Sequence, residues 1–415
     1  MLMNNLFGFH RYSLLSSTEV QQTPRGHRRY GRWMVRMLLI NLIELTAESA
    51  RGIVMPTLFL YCQSLGGTLV TMGLLTSAFS VGRLLSSFFF GWLCDRCPYR
   101  TVYLLASACG IVGNVIYLFA DPKASVKILL FSRFVVGLGA GNRSVCRADV
   151  ARMTSVSDRL KYMNRLSLTV FLGYALTPGI VWDIDVNFLG LSLTALTAPG
   201  LILALMNALT FGLLLCLYDE SITPHDGQIM DDIEAPQPAK RETEVYEPTS
   251  KLLYLGVAVF MALNVVGRGI LSIFETINVP MYLAVVQASN STTVTSQVLA
   301  ASTFQFHAGL LGLFCYGAIE FAGERIAQTT WLYIGLAALV VGDAWLALRW
   351  PSPSFGEFTG AIFCIWSIGS PLLTAVSVAA FQPSLATDNK ALGWVFSALQ
   401  RLLVVSCCRS FLRSL

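Results

Sequence analysis

The sequence predicts an all-α polytopic membrane protein built as two pseudo-symmetric six-helix halves, with the last helix of the second half missing. Three observations predict it. First, 54% of the 415 residues are hydrophobic and only 13% are charged, with a mean hydropathy of +0.61; a soluble domain carries about 25% charged residues. Second, the charges are clumped and leave long uncharged runs. A run of about 20 apolar residues crosses a bilayer as a helix, and in lipid that helix satisfies its own backbone hydrogen bonds. Third, one polar, acidic stretch interrupts the pattern after the sixth apolar run.

Residues 1–33 form a tail without a continuous apolar core, ending in Arg25, Arg28, Arg29 and Arg32. This is not the pattern of a cleavable signal peptide, so the tail is expected in the cytosol, with the first span as the insertion signal. The N-terminal half, 34–218, holds spans expected near 34–62, 71–93, 101–120, 126–147, 163–182 and 198–218. Residues 219–251 carry Pro224, Pro236, Pro238 and Pro248 among many acids and read as a cytosolic disordered linker. The C-terminal half, 252–415, holds spans expected near 252–276, 296–318, 327–348, 358–382 and 391–408. Eleven spans would put the basic end Arg409 to Arg413 on the wrong side, so a twelfth span is expected beyond this sequence.

Loop charges agree with this map. Arg96, Arg100, Arg152, Arg159, Lys161, Arg165, Lys240, Arg241, Lys251, Arg325 and Lys390 fall in loops assigned to the cytosol, while the opposite loops hold only Lys123, Lys127 and Arg349. That is the positive-inside pattern. It accounts for the net charge of +5 without nucleic acid. Asn290 opens a sequon in a loop on the non-cytosolic side and is a glycosylation candidate. The ten cysteines are scattered through apolar runs, and Cys94 and Cys97 form a lone CxxC without a second pair, so no metal site is expected. No phosphate-binding GxxxxGK[ST] loop occurs, and no catalytic set can be placed, so neither a cofactor nor an enzyme activity is expected.

Between the second and third spans the chain reads Gly91-Trp-Leu-Cys-Asp95-Arg96-Cys-Pro-Tyr-Arg100. A glycine permits close helix approach, Asp95 can cap or face a helix end, and the arginines suit an anionic leaflet. The fourth span carries Arg133 followed by Gly137, Gly139 and Gly141, and the fifth runs Gly173-Tyr-Ala-Leu-Thr-Pro178-Gly. Small residues at these spacings let helices touch, and the proline permits a kink. The first of these stretches resembles the signature loop of the major facilitator superfamily, with Pro98 in place of a glycine. The other two resemble the superfamily's fourth- and fifth-helix motifs. Arg147 with Thr154-Ser155, Phe274-Glu275-Thr276 with Pro280, and Gly393-Trp394 resemble an endolysosomal branch of the superfamily, to which SPX-domain vacuolar transporters are related. The resemblance implies a transport protein of an endolysosomal or vacuolar membrane.

The charges within the spans are the candidate site. Glu44, Glu48 and Arg51 stand at i, i+4 and i+7 and share one helix face. The seventh span, in the pseudo-symmetric position, has Arg268 and Glu275 seven apart. Arg83 and Arg133 lie in spans two and four. Ionisable groups at membrane depth face the bundle interior, a partner or a water-filled path. The arginines make an anionic solute or chloride the expected substrate, and Glu44, Glu48 and Glu275 are the candidates for proton coupling. Two plainer readings stand beside this one: an internal Glu48–Arg51 salt bridge that only orders the helix, and an Arg83 that snorkels to the interface. Three functional classes stay open here: a monomeric carrier of a small solute, an anion channel on the same fold, and a transport-inactive scaffold.

Overall fold

The computed structural model describes residues 24–373 apart from 122, 124, 155–158, 181–185, 189–190, 221–249, 288–292, 323–325, 327 and 350–352. Most of the linker, Asn290 and the expected span 391–408 lie outside the described residues. The first span is two helices, α1 (Pro24–Gly52) and α2 (Met55–Ser64). Proline lacks the N–H that would continue the ladder but fits the first turn of a new helix. Pro56 accordingly sits in the first turn of α2, and the Thr57 hydroxyl returns to the Val54 carbonyl at 3.0 Å. At the break, a Cβ on Gly52 would fall 2.7 Å from the Tyr174 carbonyl oxygen, so the glycine lets the chain cross the fifth span in close contact.

The N-terminal half continues with α3 (Leu69–Cys94), α4 (Tyr99–Leu118) and α5 (Val126–Gly139). A 3₁₀ turn, Ala140–Asn142, joins α5 to α6 (Arg143–Met153), so the fourth span runs past its expected edge at 147. After α7 (Arg159–Ala175), a 3₁₀ turn over Thr177–Ile180 holds Pro178. A short antiparallel hairpin follows, β1 (Val186–Phe188) with β2 (Leu191–Leu193), which the helical pattern did not foreshadow. The half closes with α8 (Ala198–Leu217). The C-terminal half supplies α9 (Ser250–Gln287, with Pro280 inside it), α10 (Val294–Ala322), α11 (Gln328–Arg349) and α12 (Phe355–Ile362). A π-helical stretch, Phe363–Gly369, carries α12 onward.

Among the described residues five helices are long and apolar enough to cross a membrane: α3, α4, α8, and most of α10 and α11. Leu205, Leu209, Phe314 and Leu348 are exposed on the outside of the bundle, as lipid-facing side chains would be. Inside it, the hydroxyls of Thr46, Ser49, Thr76 and Thr169 return to carbonyls four residues back, which satisfies them where no water is at hand.

α3 and α5 are the tightest pair. A Cβ on Gly137 would lie 2.2 Å from the Phe79 carbonyl oxygen, which is backbone and cannot swing aside. Gly137→Ala is therefore expected to push the two helices apart and cost about 1–3 kcal/mol. Gly212→Ala is the control, because nothing lies within 4 Å of a Cβ there. Thermal melting in detergent should separate them, and equal melting temperatures would refute the close approach.

The N-terminal core has two apolar ends with a polar layer between. One end gathers Trp33, Ile40, Tyr103 and Leu214; the other gathers Ile53, Leu58, Leu75 and Leu203. A third cluster joins the two halves through Met55, Leu60 and Tyr174 against Phe274, Tyr282, Phe304 and Trp366. Among the described residues, the Trp33 end draws on the N-terminal half alone.

Candidate functional site

The polar layer is centred on α1. The face predicted from residues 44, 48 and 51 is turned inward: Glu44 is 0% and Glu48 1% exposed. Arg143 Nε donates to Glu44 Oε1 at 2.7 Å, and its Nη2 reaches Glu48 Oε1 at 3.2 Å. One guanidinium thus forks across two successive turns of α1. Arg83 on α3 donates to the same Glu48 oxygen, while Arg51 reaches the other one at 3.5 Å. Three arginines from α1, α3 and α6 therefore converge on one carboxylate. Arg83 is buried here, which excludes the snorkelling reading.

Arg51 also pairs with Glu275 of α9, tying the two halves together. Its guanidinium lies 5.1 Å over the Tyr174 ring, and Tyr174 stacks on Trp366 of the π-helical stretch at 4.8 Å. The internal Glu48–Arg51 bridge therefore exists, but as one strand of a larger lattice. Arg133 lies next to it, donating to the Ala50 carbonyl at 3.3 Å with its guanidinium 4.8 Å from the Phe79 ring centroid. Arg147, half-buried on α6, has no carboxylate within ion-pair distance among the described residues, though Glu44 and Glu48 lie within electrostatic reach. Arg268 falls on α9, but its side chain is outside the description.

The other predicted residues are placed as follows. Gly91 lies in the last turn of α3, Asp95 is its C-cap and is exposed, and no hydrogen bond joins Asp95 to another described side chain. Arg96 lies 4.0 Å over the Trp92 ring, and Arg100 donates to the Leu215 carbonyl at the end of α8. Gly139 abuts the Ala106 carbonyl, Gly141 abuts Ser86, and Gly173 abuts the Leu45 carbonyl. Asn114 bonds the Gly110 carbonyl of its own helix at 2.8 Å.

Two features were not anticipated. The first is Arg143; its signal in the sequence is a basic residue ten positions after Arg133, still on the helical run. The second is a tie at the Trp33 end. Asp149 takes Arg36 at 2.5 Å, the Tyr218 hydroxyl at 2.7 Å and the Tyr103 hydroxyl at 3.2 Å. It fastens α1, α4, α6 and the end of α8 within one half. On the side of α1 away from the lattice, a cavity of about 20 Å³ is lined by Thr46, Ser107, Asn142, Asn207 and Thr210. It contains none of the charged groups.

A bundle of membrane-length helices packed around a buried arginine–glutamate lattice has the architecture of a membrane transporter. The chain belongs to the Major Facilitator Superfamily, whose sequence profile matches residues 40–400. It is 25% identical to Major facilitator superfamily domain-containing protein 8 of Xenopus laevis over 200 residues, 45% of this chain and 39% of that relative. It is 27% identical to an SPX domain-containing membrane protein of Arabidopsis thaliana over 186 residues, 44% of this chain and 26% of that one. The matches thus span less than half the length of these curated relatives. Among solved structures, the E. coli xylose transporter XylE, in a partially occluded inward-open conformation, superposes with a TM-score of 0.66. That likeness covers 92% of this chain and 91% of the other at 12% identity, and it is one of fold.

Proposed function

We propose that the protein is a secondary transporter that carries a small anionic solute across an endolysosomal or vacuolar membrane by alternating access. The observation behind this reading is the balance of the polar layer: among the described residues Arg51, Arg83, Arg133, Arg143 and Arg147 stand against Glu44, Glu48 and Glu275. A surplus of buried positive charge is costly until a counter-ion arrives, and an anion between the halves would supply it. Arg268 would add to the surplus. Glu48 is engaged on both oxygens and acts as the anchor of the lattice. Glu44 keeps one buried oxygen without a partner, and Glu275 has one arginine, so these two are the less engaged carboxylates. The membrane assignment and the cytosolic N-terminus rest on the sequence resemblance and on the loop charges; Asn290 would then be on the glycosylated side. The protein works as a monomer in this reading, with protons as the coupling ion.

The test is flux in sealed proteoliposomes under an imposed pH or chloride gradient. Saturable anion uptake that follows the gradient is the expected result. Current far above carrier turnover would replace alternating access by a channel, and folded protein with no anion flux under either gradient would end the proposal.

A further inference from the structure

We propose that the C-terminal half adds a neutral hydrogen-bonding subsite beside the arginine lattice, so that the solute is a hydroxylated organic anion rather than a bare inorganic ion. The inference rests on the anion-carrier reading and is carried by a different set of residues. Three side chains of α9 and α10 are buried with polar atoms that have no partner: Asn278 Oδ1, Ser302 Oγ, and both amide atoms of Gln305. They are only 2–3% exposed. Buried polar groups are nearly always satisfied, and an amide left empty at both ends, with two donors and an acceptor idle, is a rare arrangement.

Their sequence neighbours place all three on stretches of α9 and α10 that meet the N-terminal half, near the Arg51–Glu275 pair. Asn278 is one turn beyond Glu275 on α9, and one turn further Tyr282 stacks on Phe304 of α10 at 4.8 Å. Gln305 follows Phe304 in the chain, with Ser302 one turn before it. One turn after Gln305, Gly309 lies against the Ala175 carbonyl, next to the Tyr174 ring that carries Arg51. The α9 and α10 groups therefore stand along the inter-half contact that Arg51 and Glu275 close.

The chemistry of the set distinguishes between anions. Chloride or a simple carboxylate only accepts hydrogen bonds, so it could serve Gln305 Nε2 but would leave Asn278 Oδ1 and Gln305 Oε1 idle. A hydroxyl both donates and accepts, and an anion with two hydroxyls can donate to both carbonyl oxygens while accepting from Gln305 Nε2. A site built for a hydroxyl discriminates strongly against the analogue that lacks it.

The experiment measures binding of two three-carbon carboxylates, glycerate and propionate, to the full chain in detergent by thermal shift. Glycerate is expected to bind roughly tenfold or more tightly than propionate. Gln305→Leu and Ser302→Ala should each shrink that ratio by weakening glycerate alone, and Arg51→Gln should weaken both ligands. Gln305→Leu removes an unsatisfied amide, so it should fold; should it not, Ser302→Ala carries the test. Equal binding of the two acids, both lost in Arg51→Gln, would overturn the subsite and leave the anion reading standing. A preference for glycerate unchanged in both variants would also overturn it. No binding of either acid by folded wild-type protein would remove the organic-anion reading and this inference together.

Discussion

Glu48→Gln is expected to be the most damaging single substitution in the polar layer. The Glu48 carboxylate is contacted by Arg51, Arg83 and Arg143. A glutamine keeps one acceptor, points an amide N–H₂ at guanidiniums that also donate, and removes the negative charge. Breaking a buried ion pair by deleting one partner costs about 3–5 kcal/mol, because the other charge is left uncompensated. At the two to four degrees per kcal/mol of a domain this size, the melting temperature should fall by about 6–20 °C. Glu44→Gln should do less, since Glu44 holds a single arginine at 2.7 Å and its other oxygen has no partner; one charge-assisted bond is worth about 1.5–3 kcal/mol. Anion flux should fall at least tenfold in Glu48→Gln, because the arginines lose the group that orients them. The check is melting and flux for Glu48→Gln, for Glu44→Gln, and for Glu48→Gln combined with Arg83→Met. The double variant removes a surplus cation as well and should recover part of the lost stability. If Glu48→Gln melted like the wild type, the three arginines could not depend on Glu48 as described.

Why this lattice was only half legible follows from what a sequence pattern contains. Period and composition disclose the face on which a residue lies, so Glu44, Glu48 and Arg51 could be grouped on one side of α1 before any coordinates. A proline such as Pro56 likewise carries a local signal, and α1 ends just before it. A pattern does not disclose which neighbouring helix meets that face. That depends on how closely helices approach, here through glycines such as Gly82 against the Phe134 carbonyl and Gly137 against that of Phe79. Arg143 lies inside the expected fourth span, but its facing toward α1 depends on the 3₁₀ step over Ala140–Asn142, which a helical period does not disclose. The roles of Asp149 and Arg36 were hidden for the same reason: each looks like a loop or interface charge until α1 and α6 are laid side by side. Arg268 and Glu275 share a face by spacing, and of the two only Glu275 has a described side chain.

Glu275→Gln is expected to loosen the contact between the halves and shift the protein toward a conformation open at that end. Among the described residues Arg51–Glu275 is the one ion pair joining the two halves. Arg51 is 23% exposed on its side chain and Glu275 4%, so the pair is partly shielded from water. A charge-assisted bond of about 1.5–3 kcal/mol corresponds to a roughly 10- to 150-fold change in the ratio of open to closed forms. Spin labels on Gln63, at the end of α2, and on Thr293, just before α10, would report it, since both positions are exposed at this end of the bundle. With the native cysteines replaced, the longer-distance population should grow in Glu275→Gln and in Arg51→Gln, and the double variant should add little to either. Unchanged distances in both single variants would mean that the apolar contact around Tyr174 and Trp366 closes this end unaided. The pair also has a consequence for coupling. Arg51 is shared between Glu48 in the lattice and Glu275 across the contact, so an anion that draws its guanidinium toward the lattice competes directly with closure. Under the proposed anion reading, occupancy and opening would act through one guanidinium, and Glu275→Gln should leave a protein whose opening no longer depends on whether the anion is bound.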